Sequence, residues 1–161
     1  MFAATVLAQW KHWYDQSTAT SAAVAFAHLG GLLLGGGAAV VADLGTLRVA
    51  GLSSRARIGH LIELGRIHQL VAIGLGATIA SGVLMFAADV DRLVASPVFW
   101  IKMVLLGGLM GNGVVLARTE RGLNGGRLSD TTGWPRLRVS ARVSLGLWFA
   151  LLLLGTLLRT A

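Results

Sequence analysis

Two stretches decide what this chain can become. Ala19–Ala42 and Gln69–Ala88 carry no formal charge, and each reaches the roughly 20 residues needed to cross a ~30 Å hydrocarbon core. Backbone N–H and C=O groups in that core have no water to bond, so such a stretch closes its bonds within itself as an α-helix. Val98–Ala117 is a third apolar run, interrupted only by Lys102 near its start and preceded by Ser96-Pro97 as helix cap and first-turn proline. Val143–Leu158 is shorter, but Arg142 and Arg159 at its flanks can snorkel their charged heads to the interfaces. With 13% charged and 55% hydrophobic residues the composition excludes a water-soluble globule, which carries about 25% charged residues. The sequence predicts one all-α membrane domain over residues 1–161. Its expected architecture is a four-transmembrane-helix up-down bundle, with spans at about 19–42, 67–88, 97–117 and 140–159.

The net charge of +7 would suit a nucleic-acid partner, but its distribution points to membrane topology instead. Ten of the 14 basic residues, Arg48, Arg55, Arg57, Arg66, Arg118, Arg121, Arg127, Arg136, Arg138 and Arg142, lie in the segments joining spans 1 to 2 and 3 to 4. Lys11, Arg92, Lys102 and Arg159 make up the rest. The positive-inside rule then puts those two loops in the cytoplasm and both termini outside, as in a multi-pass protein of a bacterial inner membrane. The chain has no Cys, so disulfides, redox pairs and thiolate metal sites are excluded.

Residues 1–17 lack a basic n-region, a continuous apolar run and a small-residue cleavage site, so no cleaved signal peptide is expected. Phe2, Val6, Leu7, Trp10, Trp13 and Tyr14 recur at helical spacing beside Lys11, His12 and Asp15. That pattern predicts a short amphipathic helix lying in the outer interface, where indole and phenol rings prefer to sit. The same aromatic group, Trp10, Trp13 and Tyr14, would also serve as a docking surface for another membrane subunit. Of the 22 glycines most fall inside the spans, and Gly31/Gly35 and Gly107/Gly111 form G-x-x-x-G pairs. Such pairs let helix backbones approach where lipid supplies no hydrophobic drive for association. Room for a flat cofactor is one reading they allow; tight helix packing or a partner-subunit face is the favoured one.

Ionisable groups inside a bilayer are costly and usually functional. His28 sits roughly 13 Å into the first span, where it would ligate haem iron or copper or bond a neighbouring helix. His68 belongs near the opposite face, so the two histidines are not expected to share one metal. Asp43 is expected to close the first helix and to pair with Arg48 or Arg66. With His60, Glu63, Arg66 and His68 it would form a structural ion-pair network, since His60, Glu63 and Arg66 recur every three residues on a polar helical extension. A proton entry path or an anionic-lipid site is the functional alternative for this group. Lys102 is either a snorkelling anchor or a partner for a propionate or a carboxylate, and Met103 at a similar depth is a candidate second soft ligand. Triad spacing, a phosphate-binding glycine loop and an H-E-x-x-H pair are all missing, so no catalytic set emerges.

AHLGGLLLGGG (27–37), VADLGTLR (41–48), RIHQL (66–70), ASGVLMF (80–86) and SPVFWIKMVLLGGLMGN (96–112) together resemble the copper-resistance-D-like and related small bacterial four-helix membrane families. The early His of the first span with a Lys opening the third is also similar to the HemJ-type protoporphyrinogen oxidase family, although the first helix here ends in VADLG rather than an aromatic, basic segment. The second resemblance implies haem b as cofactor, His28 as haem ligand and Lys102 as a functional lysine. Two functions are therefore expected in competition. One is an accessory or structural subunit of a larger energy-converting or redox membrane complex in electron transport, which needs no special chemistry and is placed first. The other is a haem b- or copper-binding redox membrane protein centred on His28, with Lys102 and Met103 beside it.

Overall fold

The computed structural model describes residues 2–160, with side chains from residue 5 to residue 158. Phe2 on the apolar face of the N-terminal helix and Arg159 as a flanking charge lie outside the described side chains. Among the described residues six helices follow in order: α1 (Phe2–Gln16), α2 (Thr18–Val49), α3 (Ser54–Ala88), α4 (Val90–Ala95), α5 (Pro97–Asn124) and α6 (Asp130–Thr160). Among them α2, α3, α5 and α6 are long and apolar enough to cross a membrane. They overrun the expected spans at the arginine-rich end, where α2 and α3 are joined by four residues only, 50–53. Charged residues there continue the helices because a helix leaving lipid needs no apolar sequence, only its own backbone bonds.

Local chemistry sets the ends. The Ser17 hydroxyl accepts from the Thr20 amide at 3.2 Å and opens α2. Pro97 starts α5, where a missing N–H costs nothing. Asn124-Gly125-Gly126 forms the turn after α5, and Gly126 takes φ +65, which a side chain would resist. Leu128 then folds back over Gly122, whose absent Cβ would stand 2.6 Å from Leu128 Cδ1.

The packing follows the hairpins: α2 lies along α3, α5 along α6, and α2 joins the two pairs through α6, while α3 and α5 meet sparsely. Residue pairings such as Gly31 with Thr78 and Gly45 with His60 show α2 and α3 running in opposite directions. One apolar core, Ala42, Leu61, Leu64, Leu116, Trp134 and Leu137, fills the arginine-rich end. A second, Ala39, Leu109, Trp148 and Leu151, fills the middle. Around them Phe26, Leu33 and Val104 are among many large apolar side chains left exposed. Lipid is the solvent that would cover such a belt.

Gly31 and Gly35 lie on the backbone of α3. A Cβ on Gly31 would stand 2.6 Å from Thr78 Oγ1 and 2.7 Å from Gly74 O, and a Cβ on Gly74 would run into the backbone of Gly35. The second pair, Gly107/Gly111, does not pack in this way. Nothing stands within 4 Å of a Cβ at either position, because that face of α5 turns away from the other helices. At the far end of α3, Trp10 Nε1–H donates to Leu84 O at 2.9 Å and Lys11 Nζ to Ala88 O at 3.2 Å, which ties α1 to the chain's own helices. Trp10 and Tyr14 are in ring contact at 5.9 Å, and Trp13 points outward. Gly74→Ala should lower the unfolding free energy in detergent by about 1–3 kcal/mol, because the clash is with backbone and cannot be relieved by a rotamer change. Gly107→Ala should instead be neutral or raise stability by up to about 1 kcal/mol of helix propensity; equal effects at the two sites would contradict this packing.

Candidate functional site

The polar residues inside the helices gather at two levels. On α2, His28 and Asp43 are separated by roughly 22 Å along the axis at 1.5 Å per residue, so they anchor distinct groups.

At the aromatic end, His28 is half-buried and turns toward α3 rather than α5. Its Nδ1 lies 3.0 Å from Thr78 O and 3.1 Å from Ser81 Oγ. A carbonyl only accepts, so Nδ1 carries the proton, and in the neutral ring Nε2 is left with its lone pair. The Ser81 hydroxyl donates to Ala77 O at 2.6 Å and can therefore accept from the same N–H. Gly82 makes room for the ring, with Cε1 3.4 Å from where a Cβ would be. Hydrogen bonds of this kind between membrane helices contribute about 0.6 kcal/mol on average and up to about 1.7. The bond orients His28 more than it holds the fold together. Lys102 is half-buried, and its Nζ crosses toward α6, 3.7 Å from a Cβ on Gly155. Among the described residues no carboxylate pairs with it. Met103 follows on α5, half-buried, whereas the hydrogen bonds of His28 are all to α3. No three His, Cys, Asp or Glu side chains gather into a metal-binding group among the described residues.

At the arginine-rich end the structure rearranges the expected network. Asp43 does not close a helix and pairs with neither Arg48 nor Arg66. It lies inside α2, 3% exposed, while both arginines face outward on other sides of their helices. Glu63 and Arg66 are exposed, and neither makes an ion pair among the described residues. His60 does not turn to Glu63 three residues on. It crosses to α2, where Nε2 meets Thr46 Oγ1 at 2.8 Å. The Thr46 hydroxyl spends its proton on Ala42 O at 3.0 Å, so His60 Nε2–H is the donor. Gly45 admits the ring, since a Cβ there would stand 2.8 Å from His60 Cε1. His68 reaches across the sparse side of the bundle, with Nδ1 2.8 Å from Glu120 Oε2, linking α3 to α5. His28 and His68 stay apart, as antiparallel packing requires.

Between these groups lies a cavity of about 80 Å³. Asp43, His68, Asn112 and Ser144 face it, one from each long helix, among small and apolar neighbours such as Ala39, Ala42 and Gly113. Asn112 Nδ2 donates to Ser140 O at 2.9 Å, which leaves its carbonyl oxygen free. Asp43 Oδ2 is buried and has no hydrogen-bond partner. Outside this group, Arg57 clamps α3 to α6, with Nη1 3.3 Å from Asp130 Oδ2 and its guanidinium 5.8 Å from the Trp134 ring centre.

Glu120, Asn112, Ser144, Thr46 and Gly45 escaped the sequence reading. Glu120 sits beyond the apolar run that ended at Ala117, in a stretch that reads as loop but continues α5. The usable signal was spacing: Asn112, Leu116 and Glu120 recur every four residues, as do Ser140, Ser144 and Trp148, and each set lines one helix face.

Comparison with known proteins adds one relationship. No curated protein matches the chain, and no solved structure matches it. Residues 7–159 match the pattern of DUF6644, a family of unknown function, so the chain belongs to that family.

Proposed function

We propose that the protein is a small polytopic subunit that works inside a larger membrane assembly, joined to it through the glycine face of α5. The observation that carries this reading is the position of Gly107, Gly108 and Gly111: all three are exposed, and nothing of the chain lies within 4 Å of a Cβ on any of them. A helix that needs only to face lipid gains nothing from glycine and loses roughly 1 kcal/mol of helix propensity at each. Close approach by another helix is what such a surface serves. Exposed Trp13 on α1 extends the contact surface at the aromatic end. In this reading the four long helices cross the bilayer up and down and α1 lies in the outer interface. The excess of arginine at the ends of the two hairpins favours a bacterial inner membrane with those turns in the cytoplasm and both termini outside. No nucleic acid takes part.

One observation favours a second reading, a haem- or copper-binding redox protein resembling the copper-resistance-D-like or HemJ-type families. His28 is held by Nδ1–H on a backbone carbonyl, the arrangement that fixes an imidazole with Nε2 ready to ligate. Lys102 on the same half of the bundle would neutralise a propionate.

Three outcomes are expected. Mild-detergent purification should bring down a larger assembly, and Gly107→Leu with Gly111→Leu should weaken it by on the order of tenfold or more without lowering the stability of the lone chain. A parent chain that stays alone in native lipid nanodiscs would sink the subunit reading. A reporter at the C-terminus should respond from outside and one inserted near Gly125 from the cytoplasm; reversed labelling overturns the orientation. Under the second reading, protein expressed with ample haem should show a Soret band that His28→Ala abolishes and His68→Ala leaves. Colourless, copper-free protein would reduce His28 to a hydrogen bond between helices.

A further inference from the structure

The strongest unexplained feature is the carboxylate of Asp43. It is buried to 3% exposure inside α2, six residues before that helix ends, its Oδ2 has no partner, and it faces a cavity large enough for several water molecules. A carboxylate so placed would be heavily penalised as an isolated anion, so a positive charge must reach it. Among the described residues no Lys or Arg pairs with it, and His68, which faces the same cavity, is engaged by Glu120. Arg48, Arg66, Arg118 and Arg142 are exposed, and Lys102 lies at the other end of α5 near Gly155.

The groups around Asp43 are few. On its own helix Thr46 is committed to Ala42 O and His60. From α3 comes His68, already bonded to Glu120 of α5, and one helical stretch further on His60. From α5 also comes Asn112, and from α6 Ser144, which faces the Asp43 carboxyl. One carboxylate, an amide carbonyl and a hydroxyl are too few donors for calcium, which takes six to eight oxygens, and among the described residues no three His, Cys, Asp or Glu gather for a transition metal. They suit the smallest cation.

We propose that Asp43 is a proton-binding carboxyl of the membrane interior. A hydronium in the cavity gives its proton to Oδ2, an O–H bond forms there, and water is left; the reverse step returns the proton. His68 is the route to the arginine-rich end, since it lines the cavity, keeps 29% of its side chain exposed and is held in place by Glu120. The inference is independent of whether the protein serves as a subunit or binds haem.

Infrared difference spectroscopy of the full chain in lipid nanodiscs tests it, with pH as the variable and aspartate carrying carbon-13. The parent should show the carbonyl stretch of a protonated carboxylic acid that grows as pH falls and shifts with the label. Asp43→Asn should lose that component, and Glu120→Gln should keep it. Ser144→Ala should move its midpoint by about tenfold in proton concentration, the effect of one hydrogen bond to a charged group. If Asp43→Asn does not fold, Asp43→Glu answers the same question, because the component then persists without the label shift. A component untouched by both the Asp43 and the Ser144 substitutions overturns the proposal. So does one that follows sodium at constant pH, which would make the cavity an alkali-metal site.

Discussion

The contact on which the rest depends is the approach of two backbones, α2 and α3, at Gly31, Gly35 and Gly74. In lipid there is no hydrophobic force to press helices together, so dispersion between closely fitted surfaces and a few hydrogen bonds must do it. Because no Cβ intervenes, the helices come near enough for short polar side chains to cross between them. His28 reaches a carbonyl of α3, and His60 reaches a hydroxyl of α2, each across the same seam. Gly45 and Gly82 continue the logic at either end, each absent side chain leaving the space an imidazole occupies.

The second hairpin is held differently. Gly36 receives the Trp148 ring, with Cε3 3.1 Å from a Cβ position, so α6 docks on α2 by filling a notch rather than by backbone approach. Only α3 and α5 are left without a continuous seam, and the His68–Glu120 pair spans that gap. Around the cavity, glycine closes the α2–α3 seam, indole the α2–α6 seam, and polar contacts, Asn112 to Ser140 and His68 to Glu120, link α5 to its neighbours.

Much of this organisation is legible in the residues. Long apolar runs, one broken by Lys102 and one short, reveal four apolar helices, because the length a bilayer demands is a stronger signal than any local propensity. The Gly31/Gly35 spacing is equally plain. Partner choice is not legible in the same way. Asp43 next to arginines at loop level reads as an ion pair, yet where α2 ends depends on backbone bonds that charged residues do not interrupt, and once the helix runs on to Val49 the carboxylate is inside. Glu120 is hidden for the same reason. Gly107/Gly111 has the same spacing as Gly31/Gly35, but spacing cannot say which of two faces another helix will occupy.

The N-terminal helix shows what chain order imposes on assembly. Trp10 and Lys11 donate to Leu84 O and Ala88 O, carbonyls made 74 and 77 residues later. During synthesis these donors must wait until the end of α3 has been made and the α2–α3 hairpin has brought it beside them. The contact is thus a latch that closes only on a correctly threaded hairpin. It discriminates against a chain whose α2–α3 hairpin has not closed, because the carbonyls it needs would then lie away from α1.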